Sequence, residues 1–166
     1  MTSQPYRTYR GNILQRLGLM KPAPELAGTA EHPVWMHPIE FAQIEAVLQT
    51  VKPKYMLEWG SGGSSRAWLQ MLPDLELLWS VEHNPKWAQI VRNQIDDSRF
   101  HLVHSAPVGA PEPVHYPGNI KTGAMHRAWT EKLERDPSIM AEYIRNPDDA
   151  GVQFDVALVD GRARNF

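Results

Sequence analysis

The chain has 166 residues, a formal net charge of −2 and no cysteine. This length suits one domain that buries about two-thirds of its unfolded surface, and the lack of cysteine excludes disulfides, thiolate nucleophiles and cysteine-ligated zinc. Lys and Arg are scattered, which does not favour a nucleic-acid-binding surface, and no run approaches the ~18 apolar residues of a membrane span. We therefore expect a soluble, cytoplasmic protein.

Residues 1–37 are expected to form an irregular N-terminal arm, because prolines and glycines interrupt it. Its last part, Val34 to His37, either packs on a sheet edge or lines a substrate pocket, and packing is the favoured interpretation. From Pro38 onward the apolar residues repeat at helical spacing, and a proline suits the first turn of a helix. Residues 38–166 are predicted to form a single cofactor-binding domain.

The stretch Tyr55 to Ser65 predicts a strand, a tight turn and the start of a helix, since a short apolar run gives way to three glycines and three serines. Gly60 and Gly62 are expected to adopt positive φ and to bring backbone N–H groups close to a ligand. Ser64 or Ser65 is expected to cap the helix, whose N-terminus then favours a carboxylate or phosphate. An ordinary glycine-rich loop is the alternative interpretation.

Three more apolar runs predict strands, and helical patterns lie between them. A loop over residues 106–120, with four prolines and two glycines, follows the third predicted strand. This alternation predicts an α/β fold with a doubly wound parallel sheet. The predicted strands after the first are Leu77 to Glu82, Phe100 to Val103 and Phe154 to Val159.

Two glutamates accompany the glycine turn. Glu58 lies two residues before Gly60, and Glu82 closes the second strand about twenty residues on, where a ribose-binding carboxylate is expected. A nicotinamide dinucleotide site shares this pattern. Against that alternative, Ser65 stands where the third glycine is required, and an acidic residue before the turn is not part of the dinucleotide fingerprint.

Three patches resemble motifs of class I S-adenosylmethionine-dependent methyltransferases: Leu57 to Gly63, Val81 to His83, and Phe154 to Gly161. The resemblance implies a Rossmann-like sheet in which the four predicted strands have the order 3-2-1-4. That family continues through three more strands. We therefore expect a domain truncated after the fourth strand, poor or absent activity of this chain alone, and self-association through the fourth-strand edge.

The resemblance also implies S-adenosylmethionine as the cofactor. Glu82 would bind both ribose hydroxyls, and Glu58 would act through the methionine amino group or a bridging water. The backbone of the glycine turn would approach the methionine part, and the residues after the third strand would flank the adenine. The implied cofactor-binding residues are Glu58, Gly60, Ser61, Gly62, Glu82, His83, Ser105 and Ala106.

Asp160 and Arg162 would face the methyl acceptor, with Asp160 as candidate base for an oxygen or nitrogen nucleophile. An equal alternative is that Asp160 only caps the following turn. The ending Val159 to Arg164 looks most like a polysaccharide O-methyltransferase branch that includes glucuronoxylan methyltransferases. The expected partner is thus a small molecule or saccharide that accepts a methyl group on a hydroxyl or carboxyl. A non-catalytic cofactor-binding fragment is the third interpretation.

Overall fold

The segment before the central sheet contains a short strand pair and a long helix. The structure, a computed structural model, describes residues 28–29, 32–113 and 120–160. Strand β1 (Gly28–Thr29) pairs antiparallel with β2 (His32–Pro33), and helix α1 (Pro38–Val51) follows. The expectation of irregular chain up to residue 37 was wrong at this pair, where the proline lies on an edge strand that tolerates its missing N–H. Residues 1–27 of the predicted arm lie outside the described residues.

Four parallel strands form the central sheet of the described chain. They are β3 (Tyr55–Trp59), β4 (Leu77–Glu82), β5 (Phe100–His104) and β6 (Val156–Val159), in the order β5-β4-β3-β6. This is the predicted order 3-2-1-4 of the four predicted strands, and the α/β Rossmann-like fold class is confirmed. Asp155 accepts the backbone N–H groups of Lys54 (2.8 Å) and Tyr55 (3.0 Å), which fixes β6 beside β3.

Helices cover both faces of the sheet. Helix α2 (Gly63–Met71) joins β3 to β4 and packs with α1 on one face, around the fully buried Trp68. Helix α3 (Pro85–Arg92) joins β4 to β5. The opposite face is covered by α4 (Ile120–Leu133), a 3-10 turn (Pro137–Met140), α5 (Ala141–Arg145) and a second 3-10 turn (Asn146–Ala150).

The caps follow the sequence pattern at α3 and depart from it at α2. Asn84 caps α3 through the Trp87 N–H (3.0 Å), as the Asn-Pro pair predicts. Helix α2 instead begins at Gly63 with Gly62 as its cap residue, so the expectation that Ser64 or Ser65 caps it was wrong. None of the helices in the described ranges is long and apolar enough to span a bilayer.

Strand β6 is an edge of the sheet formed by the described strands. Val156 and Leu158 are partly buried against α1 and α2, whereas Ala157 and Val159 are exposed on the other face. The continuous apolar sequence of this strand is typical of a strand buried on both faces. In the described part of the chain only one face of β6 is covered.

Candidate functional site

The turn between β3 and α2 is held at Gly60 by a backbone contact to β4. The Gly60 N–H donates to the Val81 carbonyl (2.9 Å), and the φ of Gly60 is 95°, a conformation that favours glycine. Gly62 has an extended φ of 174°, so the expected positive φ was wrong there. A Cβ on Gly62 would lie 3.8 Å from the Trp87 ring, an ordinary contact. Only Gly60 therefore requires glycine for its own conformation.

Trp87 on α3 forms a hydrogen bond to the turn. Its indole Nε1 donates to the Ser61 carbonyl oxygen at 2.7 Å. The Ser61 side chain is buried, and its hydroxyl lies 3.4 Å from Glu82 Oε2. These contacts join the turn between β3 and α2 to the end of β4. The predicted glycine turn and Glu82 therefore lie in one site.

Glu82 ends β4 and is almost completely buried, with 3% of the residue exposed. Its Oε1 accepts the Asn84 backbone N–H at 2.8 Å and lies 3.0 Å from His83 Nδ1, in a geometry that does not form a hydrogen bond. Its Oε2 meets only Ser61 among the described hydrogen-bond partners. This oxygen therefore retains capacity to accept further hydrogen bonds.

Glu58 lies one residue before the end of β3 and is fully buried. Its Oε1 accepts the Ser65 hydroxyl, and Ser65 in turn accepts the Gly62 backbone N–H at 2.9 Å. Burial raises the pKa of Glu58 to about 7, assisted by the charges of Glu82 and Asp160, while the hydroxyls of Ser65 and Ser80 oppose the rise.

A cleft of about 360 Å³ opens above the carboxyl ends of β3, β4 and β6. This size falls within the range of small-molecule sites. Its charged lining residues are the carboxylates Glu82 and Asp160, and it also contains the N-terminus of α2. The described lining consists of Val34, Trp35, Met36, Gly60, Ser61, Gly62, Gly63, Ser64, Glu82, His83, Trp87 and Asp160.

A second cleft of about 570 Å³ lies beyond the end of β4, and His83 lines both clefts. Four prolines form much of its wall, and Glu112 supplies a carboxylate. Glu112 is held by Asn84 Nδ2 (2.5 Å) and His126 Nε2 (3.1 Å), which ties the loop after β5 to α3 and α4. The described lining is His83, Asn84, Pro85, Lys86, Ala106, Pro107, Pro111, Glu112 and Pro113.

Most of the predicted site residues lie in or beside these clefts. Ala106 lines the second cleft, while the neighbouring Ser105 is buried and donates its N–H to the Glu82 carbonyl at 2.9 Å. Glu58 lines neither cleft. Arg162 lies outside the described residues. Of the predicted site residues, those that line the first cleft are Gly60, Ser61, Gly62, Glu82, His83 and Asp160.

Three of the lining residues that were not predicted to bind ligand show why sequence reasoning missed them. Trp87 fits the apolar face of α3, and nothing in its spacing reveals the Nε1 bond to the turn. Glu112 comes from a loop that has no periodic pattern. Trp35 is 67% exposed and borders the first cleft, whereas packing on the sheet edge was the favoured interpretation of its segment. The described residues hold no group of three or more His, Asp or Glu side chains arranged to bind a metal ion.

Comparisons with known proteins find similarity among solved structures. No family model matches the chain, and no curated protein matches it. Among solved structures, the chain is similar to a protein from Staphylococcus aureus assigned as a caffeoyl-CoA O-methyltransferase, with 14% sequence identity and a TM-score of 0.40. The match covers 57% of this chain and 43% of that one.

Proposed function

We propose that this chain binds S-adenosylmethionine and belongs to an O-methyltransferase. The observation that carries the proposal is the charge of the first cleft, whose charged lining residues within the described part of the chain are the carboxylates Glu82 and Asp160. S-adenosylmethionine has a positively charged sulfonium and amino group, which a cleft of this charge attracts. A dinucleotide has a negatively charged pyrophosphate, which the same carboxylates repel.

The two clefts fit a ligand with two parts. In this proposal the methionine part lies over the turn at Gly60 to Ser64, where the N-terminus of α2 favours its carboxylate. The ribose hydroxyls donate to Glu82, whose Oε2 has accepting capacity left. The adenine enters the second cleft beside Ala106, between apolar proline walls. When bound, the cofactor supplies an electrophilic methyl group.

Asp160 is the candidate for the acceptor side of the site. It follows β6, is exposed, and lines the first cleft beside the turn, where its backbone N–H donates to the Trp59 carbonyl at 3.0 Å. Its carboxylate would accept the proton of an acceptor hydroxyl, and the cleft would mainly align the acceptor, since methyl transfer depends strongly on alignment. We propose a small-molecule or saccharide acceptor with a hydroxyl or carboxyl group.

Calorimetry with S-adenosylhomocysteine, S-adenosylmethionine and NAD tests the binding proposal. We expect both sulfur ligands to bind and NAD to give no response. Binding of NAD alone would favour the nicotinamide alternative and refute the proposal. A radiolabelled methyl-transfer assay with simple sugars and uronic acids then separates an enzyme from a fragment that only binds the cofactor.

A further inference from the structure

Glu58 is a buried carboxylate below the glycine turn that lines neither cleft. The residue is 0% exposed and forms no ion pair with any described residue. Burying an ionisable group without a counter-ion disfavours folding, whereas a methionine of similar size has no such cost. Packing alone therefore does not account for a glutamate at this position.

Ser65 connects Glu58 to the turn. Ser65 is also completely buried, and its hydroxyl oxygen accepts the Gly62 N–H at 2.9 Å. A hydroxyl has one proton to donate, and the proton of Ser65 goes to Glu58 Oε1. Glu58 therefore sets the rotation of this hydroxyl, and the hydroxyl holds the backbone amide of Gly62.

The other oxygen of Glu58 faces β4. Glu58 is paired with Ser80 in the register of β3 and β4, and both Glu58 Oε2 and Ser80 Oγ are buried without a hydrogen-bond partner at good geometry. Protonation at Oε2 gives a donor toward Ser80 and leaves Oε1 free to accept from Ser65. A glutamine at this position has the same arrangement, with its amide nitrogen toward Ser80.

We propose that Glu58 is a positioning residue, which acts on the glycine turn through Ser65 and does not contact the ligand. Gly62 lines the first cleft and is the cap residue of α2, so its amide orientation determines the shape of the cleft floor. The requirement at position 58 is then an acceptor for the Ser65 hydroxyl, and a negative charge is dispensable.

The test compares Glu58→Met, Glu58→Gln, Ser65→Ala and the double variant Glu58→Met/Ser65→Ala. The first measurement is hydrogen exchange of the Gly62 amide by NMR without ligand. We expect exchange of the Gly62 amide about 10-fold faster in Glu58→Met and Ser65→Ala, because each removes a hydrogen bond between Glu58, Ser65 and Gly62. Glu58→Gln keeps these hydrogen bonds and should exchange near the parent rate. Tyr143→Phe is the matched control, since it also removes one buried hydroxyl, from the cluster on the opposite face of the sheet.

The second measurement is the affinity for S-adenosylhomocysteine by calorimetry, which rests on the proposed function. Loss of one hydrogen bond predicts about 3- to 10-fold weaker binding in Glu58→Met and Ser65→Ala. The double variant is expected to be no weaker than either single one, since both changes break the same connection. Glu58→Gln is expected to bind like the parent chain.

Two results would overturn the proposal. One is unchanged Gly62 exchange in both Glu58→Met and Ser65→Ala. The other is a loss of affinity in Glu58→Gln as large as in Glu58→Met with normal binding by Ser65→Ala, which would indicate direct charge contact with the ligand. If the parent chain does not bind the sulfur ligand, the proposed function fails and the exchange measurement alone decides the role of Glu58. Ser65→Ala keeps the test available if Glu58→Met does not fold.

Discussion

Replacing Glu58 by glutamine should make the folded protein less sensitive to pH. The pKa of this carboxyl rises from its ordinary 4.5 to about 7 on folding, chiefly because it is fully buried. Below the unfolded pKa both states are protonated, and Glu58 has no effect on the pH dependence of stability. As the pH rises through the folded pKa, the folded state must ionise a buried group, and stability is lost.

The size of this loss follows from the change in pKa. A rise from 4.5 to about 7 corresponds to about 3 kcal/mol between full protonation and full ionisation. Most of it falls between about pH 4.5 and about pH 7, the window bounded by the unfolded and folded pKa values. Glutamine keeps an acceptor for Ser65 but cannot ionise, so Glu58→Gln should gain about 2 to 3 kcal/mol relative to the parent chain across this window.

Urea unfolding followed by tryptophan fluorescence measures the effect, since the chain has six tryptophans. The free energy of unfolding of both proteins should be compared at several pH values between about 5 and 8. Glu142→Gln, which removes an exposed carboxylate on α5, controls for the loss of one negative charge. A difference between Glu58→Gln and the parent chain that stays constant with pH would refute the reasoning.

Four further predictions concern the clefts and the sheet edge. Gly62→Ala should change the free energy of unfolding in urea by less than about 1 kcal/mol, because the space around Gly62 and its φ allow a Cβ. The same variant should bind S-adenosylhomocysteine more weakly in calorimetry if the ligand lies on the turn. Glu82→Ala should weaken that binding by ~10- to 100-fold, because hydrogen bonds to a charged acceptor contribute roughly 1.5–3 kcal/mol. Trp129→Phe removes the Nε1 bond to the Ala110 carbonyl (2.8 Å) and should lower the unfolding free energy by about 1 kcal/mol, with faster proteolysis of the loop after β5. The parent chain should self-associate through β6, and Val159→Lys should reduce the oligomer fraction in sedimentation velocity, since this valine is 46% exposed on the edge strand.

The elements that local patterns describe were predicted well. Leu77–Glu82 has the predicted bounds, and Asn84 caps α3 directly before Pro85, because strand runs and Asn-Pro caps depend on neighbouring residues. The predicted order of the sheet is also confirmed. That order was implied by the resemblance of three sequence patches to methyltransferase motifs, and the crossover rule alone does not set which strands are neighbours.

Features that depend on distant contacts were not predicted. The α2 cap was assigned to serine by residue preference, but Ser65 is directed into the core by the buried carboxyl of Glu58. Glu112 enters the second cleft because His126 and Asn84 hold it from two different helices. A single sequence shows which side chains can make such bonds, and the fold determines which of them meet.

Glu58 and Glu82 show how the depth of a carboxylate along the sheet decides whether it can face a ligand. Both were predicted at strand ends, where parallel sheets bind ligands. Glu82 is the last residue of β4, and the chain turns at Asn84, so its carboxylate reaches the cleft. Glu58 is the penultimate residue of β3, directly beside Ser80 within the sheet, and α2 covers it through Ser65. Since Glu58 pairs with Ser80, which lies two residues before Glu82, both carboxylates project from the same face of the sheet. Glu58 lies two residues further from the carboxyl edge than Glu82, and this depth leaves it fully buried, so that it can act only through its neighbours.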